Sequence, residues 1–239
     1  MSALRVLAAL VLLAAGSFGL YELVESPRSG AFEPVVTHGD GHVVALTYDD
    51  GPTRGVTDRV LDVLEREHVQ ATFFVVGRAA RREPALLRRM RAGGDQIENH
   101  SDSHAHLNAI FTAHALDAEI ENAGDAIVAA TGARAHWLRP PFGARNAAVL
   151  DAARRHGLRV ALWSAMLDET SPGAAPAALA EKLLRHVGDG AIVVLHDGDA
   201  GRGDAGARAY EAALTPRVIA GLRARGYRFV TLDGLLAEK

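Results

Sequence analysis

The sequence predicts an α/β fold whose parallel sheet curls into a small barrel. Three observations lead there. Seven apolar or β-branched runs read as strands, at 42–48, 71–76, 96–98, 137–138, 158–163, 191–195 and 227–231. Apolar residues at helical spacing fall between most of them, and regular βα alternation implies a parallel sheet. No Gly-rich phosphate loop follows a strand, which favours a barrel over an open nucleotide-binding sheet.

The elements follow in order. Arg5 precedes an apolar run, 6–20, that no charge interrupts, the pattern of a secretory signal. The stretch 4–24, broken only by Arg5 and Glu22, is also long enough to span a bilayer. Residues 1–24 are therefore expected to be a signal peptide or an N-terminal membrane anchor, and either one exports the domain. Residues 25–40 contain Pro27, Ser29, Gly30, Pro34 and Gly39 and read as a linker to one folded domain, 41–239.

Strand 42–48 ends at Asp49-Asp50-Gly51-Pro52, where Gly-Pro stops it. A helix carrying Val56, Val60, Val63 and Leu64 leads to strand 71–76. Pro84 opens a helix with Leu86, Leu87 and Met90, and the short strand 96–98 follows. The long helix 112–130 places Leu116, Ile120, Ile127 and Val128 on one stripe. Strand 137–138, helix 146–156, strand 158–163 and helix 176–187 come next. The most apolar strand, 191–195, is followed by a Gly/Asp-rich surface loop at 198–206, helix 210–225 and strand 227–231.

Composition narrows the function. Hydrophobic residues make up 49% of the chain, enough for a full core, and the net charge of −3 gives no general attraction to nucleic acid. There is no cysteine, so any metal must be held by nitrogen and oxygen. Asp49 and Asp50 lie at the C-terminal mouth of a buried strand, where α/β folds place their chemistry. Adjacent residues at a strand end point apart, so one carboxylate can bind a metal while the other moves a proton; taken alone, the same four residues are also a common surface turn. His100 and His104 are spaced to face one way on a helical turn and reach one metal. With Asp50 they make two nitrogens and one carboxylate, a common catalytic zinc shell. Arg139-Pro140-Pro141-Phe142-Gly143 is a stiffened loop that can hold an arginine against a carboxylate and aim a backbone N–H. His196 ends the buried run 191–195, a position suited to acid–base work or, taken alone, equally to a satisfied core histidine. His106 is a bystander or a substrate contact. His68, His156 and His186 sit near helix C-termini, where the dipole favours them.

In this order, TYDDGP at 47–52, HSDSH at 100–104, RPPFG at 139–143 and LHDG at 195–198 resemble the polysaccharide deacetylase family (the NodB-homology domain, carbohydrate esterase family four). The resemblance covers about 40–235. It implies a distorted, incomplete (β/α)7-type barrel of the glycoside hydrolase-deacetylase kind. It also implies a divalent metal, zinc first with cobalt, nickel or manganese as alternatives, and an acetylated glycan as substrate. By the same resemblance Asp49 is the general base, Asp50, His100 and His104 are the metal ligands, and Arg139 orients the base. The N–H of Phe142 is the oxyanion donor, Leu195 lines the acetyl pocket and His196 is the general acid. One region departs from the family pattern. Where an aspartate and then Asp-Trp are common, this chain has Met166 and then Glu169-Thr170, leaving Asp168 or Glu169 to tune His196. The expected function is metal-dependent removal of N-acetyl groups from an extracytoplasmic glycan, peptidoglycan or chitin-like oligomers. The alternatives are a deacylase of another amide or of an O-acetyl ester such as acetylated xylan, and a non-catalytic glycan-binding domain.

Overall fold

The computed structural model describes residues 23–110, 112–167, 175–200 and 208–237, with the single positions Gly16 and Gly19. Nearly all of the expected targeting segment, most of the loop 198–206, and Asp168, Glu169 and Thr170 lie outside the described residues. Among the described residues no helix is long and apolar enough to cross a membrane.

Eight strands form one sheet: β1 (Val43–Asp49), β2 (Thr72–Val75), β3 (Gln96–Asn99), β4 (Trp137–Leu138), β5 (Arg159–Val160), β6 (Ala165–Met166), β7 (Ala191–His196) and β8 (Arg228–Phe229). Their pairings are parallel, in the order β5-β4-β3-β2-β1-β7-β6, which is the expected curled α/β architecture. β8 extends neither edge. It pairs with the start of β1 through Val43–Arg228 and Val44–Phe229, whereas β2 pairs with the end of β1 at Thr47–Asp49. The run 158–163 yields only the short β5, and β6 was not foreseen.

The helices α1 (Thr57–Glu67), α2 (Gly77–Arg82), α3 (Pro84–Gly93), α4 (Ala113–Thr131), α5 (Ala147–Arg155), α6 (Pro176–Leu184), α7 (Glu211–Ala224) and α8 (Leu232–Ala237) complete the described fold. α1 forms because Val60, Leu61, Val63 and Leu64 share a buried face. Each such side chain contributes roughly 1.5–3 kcal/mol on burial. The helix ends at His68, which takes a left-handed conformation (φ 51°) and returns its N–H to the last turn. In α4 the stripe holds for Leu116, Ile120 and Ile127, but Val128 is 36% exposed. An α-helix advances about 100° per residue, and Ala123, Ala126 and Ala130 fill the buried face instead.

Side chains alternate across the sheet. Val44, Leu46 and Tyr48 of β1 and Val193 and Leu195 of β7 pack among α1, α6 and α7 in the outer core. Val43, Ala45, Phe74, Ile192 and Trp137 form the inner core, which Leu232 and Leu235 of α8 join. Asp49 and His196 continue the inner-facing sets of β1 and β7 and stand side by side in register.

The stretch 25–40, expected as a linker, is bound to the barrel. The Val36 N–H donates to the Val160 carbonyl (2.9 Å) and the Leu162 N–H to the Val36 carbonyl (2.7 Å). The Gly39 N–H donates to Gly190 (2.8 Å), so residues 36–39 bridge β5 to the start of β7. Proline and glycine mark a break in regular structure there, not a free tether.

Candidate active site

The site is built at the C-terminal mouth of β1. Asp49 is the last residue of the strand, and Asp50 leaves it with φ 75°. The reversal sends the two carboxylates in different directions. Neighbouring strands pin the turn: the Asp197 N–H donates to the Asp49 carbonyl (3.1 Å) and the Val76 N–H to the Gly51 carbonyl (2.9 Å). Glycine at 51 leaves room for the Asp197 carboxylate, since a Cβ there would lie 2.2 Å from its Oδ2. Asp197 is fully buried and accepts a hydrogen bond from Thr57 Oγ1 (2.6 Å). Burial pushes its carboxyl up to about 7, against the Thr57 bond and with the help of the charges on Asp50 and Asp49.

Arg139 follows β4 and is completely buried. Its Nη1 donates to Asp49 Oδ1 (2.7 Å) and Thr47 Oγ1 (2.8 Å), and its Nη2 to the Leu162 carbonyl (2.9 Å). The guanidinium carbon lies 4.0 Å from the centre of the Phe74 ring. Five fixed donors and a flat face make arginine suited to this setting. Burial lowers the Arg139 pKa, and Asp49 opposes that shift.

Asp50 meets two histidines. His104 Nε2 is 2.9 Å and His100 Nε2 3.4 Å from Asp50 Oδ1. Burial would raise the Asp50 carboxyl, yet contacts with His100 and His104, aided by the charge on His196, hold it well below its ordinary value. Burial likewise works against charge on His100, and Asp49 and Asp50 overcome it. The 100–104 stretch is not the helical turn that the spacing suggested. It is a loop with Ser101 (φ 64°) and His104 (φ 60°) in left-handed conformations. Its shape comes from outside: Glu119 of α4 accepts from the N–H groups of Asp102 (3.0 Å) and Ser103 (2.9 Å) and from Ser103 Oγ (2.6 Å). Arg81 of α2 donates to Asp102 Oδ1 (2.6 Å).

The three ligand-type atoms of Asp50, His100 and His104 lie within 4.8 Å of one another. His100 Nδ1 lies 2.7 Å from the Arg139 carbonyl, which can only accept, so Nδ1 carries the proton. In the neutral ring Nε2 is then a free lone pair aimed at the cluster, the usual arrangement of a metal-binding histidine. Two imidazole nitrogens and one carboxylate fit a divalent cation.

After Arg139 the chain makes a turn at Pro141–Gly143 in which Phe142 has φ 62°. The N–H groups of Gly143 and Ala144 bond back to Pro140 and Pro141. The N–H of Phe142 makes no hydrogen bond among the described residues. The Phe142 ring, 42% exposed, stacks on His106 (3.9 Å, 8°) and meets His104 edge-on (4.8 Å).

One expected site residue is misplaced. Leu195 sits in the outer core against the helices. It is odd in phase with His196, and the strand period of two turns it away. Val194 lies opposite Thr47 and beside Met166, so Val194 and His196 are the side chains β7 gives the interior. Four participants escaped sequence reading: Thr47, Asp197, Glu119 and Arg208, whose Nη2 is 3.9 Å from Asp50 Oδ2. Thr47 and Asp197 lie within or beside motifs and were readable from strand phase. Glu119 and Arg208 come from distant segments and gave no local signal.

Comparison with known proteins gives one consistent picture. A family model described as polysaccharide deacetylase matches residues 37–161. A peptidoglycan-N-acetylglucosamine deacetylase of Listeria monocytogenes is 35% identical over 196 residues, 82% of this chain and 39% of that protein. The chain thus spans about two fifths of the length of that relative. A chitooligosaccharide deacetylase of Sinorhizobium fredii is 35% identical over 207 residues, covering 84% of this chain and 91% of that one. A crystal structure of a peptidoglycan N-acetylglucosamine deacetylase superposes with a TM-score of 0.76 at 25% identity, over 86% of this chain and 94% of that one.

Proposed function

The chain belongs to the polysaccharide deacetylase family, and we propose that it hydrolyses N-acetyl groups on an extracytoplasmic glycan of the peptidoglycan or chitin-oligomer type. One observation carries the reading. The Asp49–Arg139 pair (2.7 Å) and the Asp50–His100–His104 cluster share one turn, with His196 in register beside Asp49. A base, a cation site and an acid are thereby gathered around one space.

Asp50, His100 and His104 would hold the cation, zinc first among the candidates. Such an ion supplies positive charge that acidifies a water toward a pKa of about 7 and steadies negative oxygen. Asp49 takes the proton from the attacking water; Arg139 occupies its Oδ1, and Oδ2 carries no hydrogen bond from the described residues. The Phe142 N–H donates to the acetyl oxygen as it becomes negative, a contribution of roughly 3 kcal/mol. His196 delivers a proton to the departing nitrogen, and Val194 and Thr47 wall the space for the acetyl methyl. The products are acetate and a free amine on the sugar.

Acetate release from peptidoglycan, chito-oligomers and acetylated xylan tests the reading and ranks the substrates. Chelator should abolish release, and zinc or cobalt should restore it. Undiminished release by metal-stripped protein would refute the cation's part, and release from xylan alone would favour an O-acetyl substrate.

Export completes the proposal, supported by Arg5, the apolar run 6–20 and the peptidoglycan specificity named for relatives. In fractionated cells a C-terminally tagged chain should lie beyond the cytoplasmic membrane, and the mass of the mature protein should distinguish a cleaved signal from an anchor. A full-length cytoplasmic product would sink this part.

A further inference from the structure

The turn that carries the Phe142 N–H does not hold its own shape. Phe142 and Gly143 are both left-handed, at φ 62° and 70°. A non-glycine residue persists there only where its surroundings fix it. Those surroundings include residues 23–29, which lie outside the family-matched stretch 37–161.

Arg145 makes the connection. It is 0% exposed, and its Nη2 donates to the carbonyls of Ser26 (3.0 Å) and Ser29 (2.8 Å) while its Nη1 donates to Gly143 (3.2 Å). Its backbone N–H donates to the Val24 carbonyl (2.9 Å). A buried guanidinium is costly unless its donors are used. Here Nη1 and Nη2 are spent on backbone carbonyls of two chain segments, while Nε finds no partner among the described residues, so the residue joins the segments through its two terminal nitrogens. Contact between them is direct as well: a Cβ on Gly143 would lie 2.7 Å from the Glu25 carbonyl oxygen. The N-terminal piece is itself folded, with Ser29 N–H on the Ser26 carbonyl (3.0 Å) and Ser29 Oγ on the Leu23 carbonyl (2.8 Å). On the outer side, His106 stacks on Phe142 and comes within 3.9 Å of Glu25 Oε1.

We propose that residues 23–29 are a brace of the active site, fastened beneath the Pro140–Gly143 turn by Arg145, which acts as a positioning residue for the Phe142 N–H. The role given to that N–H rests on the deacetylase reading; the brace itself does not. The catalytic unit then starts near residue 23, before the segment expected to be a linker.

The test uses the full chain carrying Arg145→Lys, which keeps charge and stem but loses the fork. Zinc stoichiometry should be unchanged and KM for an acetylated chito-oligomer should stay within about twofold. Removing one oxyanion donor outright costs about 10²–10³ in kcat, so a misaimed one should cost roughly tenfold to a hundredfold. Hydrogen exchange at amides 142–145 should quicken by about tenfold or more, reporting the lost support. Ser29→Ala, a milder cut to the same brace, should shift both readouts the same way by a few-fold, and it decides the matter if Arg145→Lys does not fold. Unchanged exchange in the folded variant overturns the brace. Faster exchange with unchanged kcat overturns the positioning role, as does a loss of kcat that follows a loss of zinc. Wild-type protein that releases no acetate from any substrate would remove the deacetylase reading and leave the exchange result to judge the brace.

Discussion

Asp49→Asn should keep its metal and lose about 10²–10⁴ in kcat, whereas Asp50→Ala should lose both. The two residues are neighbours of identical chemistry, and the split follows from where the backbone turns. Asp49 ends β1 in the strand conformation and faces Arg139, while Asp50 is thrown by a positive φ toward His100 and His104. Asparagine at 49 preserves an oxygen for Arg139 and removes the proton acceptor. The guanidinium keeps Thr47 and the Leu162 carbonyl as partners, so the fold should survive. At about 1.4 kcal/mol per tenfold, the expected loss is roughly 3–5 kcal/mol of transition-state stabilisation. Alanine at 50 takes away the one oxygen both imidazoles approach. Two neutral imidazoles then remain with no charged ligand, and affinity for a divalent cation should collapse. Bound metal and kcat, measured side by side on the two variants, decide the matter. Metal lost from Asp49→Asn and retained in Asp50→Ala would reverse the assignment and discard the mechanism.

Much of this site could be read from sequence because strand phase and turn chemistry are local. The apolar run ending at Leu46 and the stop at Gly51-Pro52 locate Asp49 and Asp50 at a strand mouth, and the structure puts them there. Distance along the chain set the limit. His100 and His104 do come together at Asp50, but not through the helical turn that their spacing suggests: their loop is held by Glu119, seventeen or sixteen residues away, and not by helical hydrogen bonds. The family resemblance puts Leu195 on the acetyl pocket, although a strand sends adjacent residues to opposite faces and His196 takes the inner one. Applying the period of two would have chosen Val194. The last strand was foreseen, but not its pairing with the foot of β1, because register between distant strands leaves no local trace. Residues 25–40 looked like a tether because composition records the breaks in structure and not the contacts made between them.

His196→Ala should separate amide from ester chemistry. An amine departs from a tetrahedral centre only when it is protonated, whereas an aryl oxide departs readily without help, so a general acid matters far more for the first. His196 ends β7 in register with Asp49. Its loss should lower amide turnover by about 10²–10⁴-fold and aryl acetate turnover much less. Metal content should be unchanged, since Asp50, His100 and His104 are untouched. A purely structural histidine predicts a different pattern: distortion of the β1–β7 mouth would displace Asp49, and the base serves both substrates. Equal losses on amide and ester would therefore remove the acid role. The position of Met166 sharpens the experiment. It lies in register with Val194, two residues before His196 on the neighbouring strand, and carries no charge. A Met166→Asp variant should therefore move the basic limb of the amide pH–rate profile upward, because a nearby carboxylate favours the protonated ring. The aryl ester profile should not follow it, and a shift common to both substrates would place the effect on a group other than the acid.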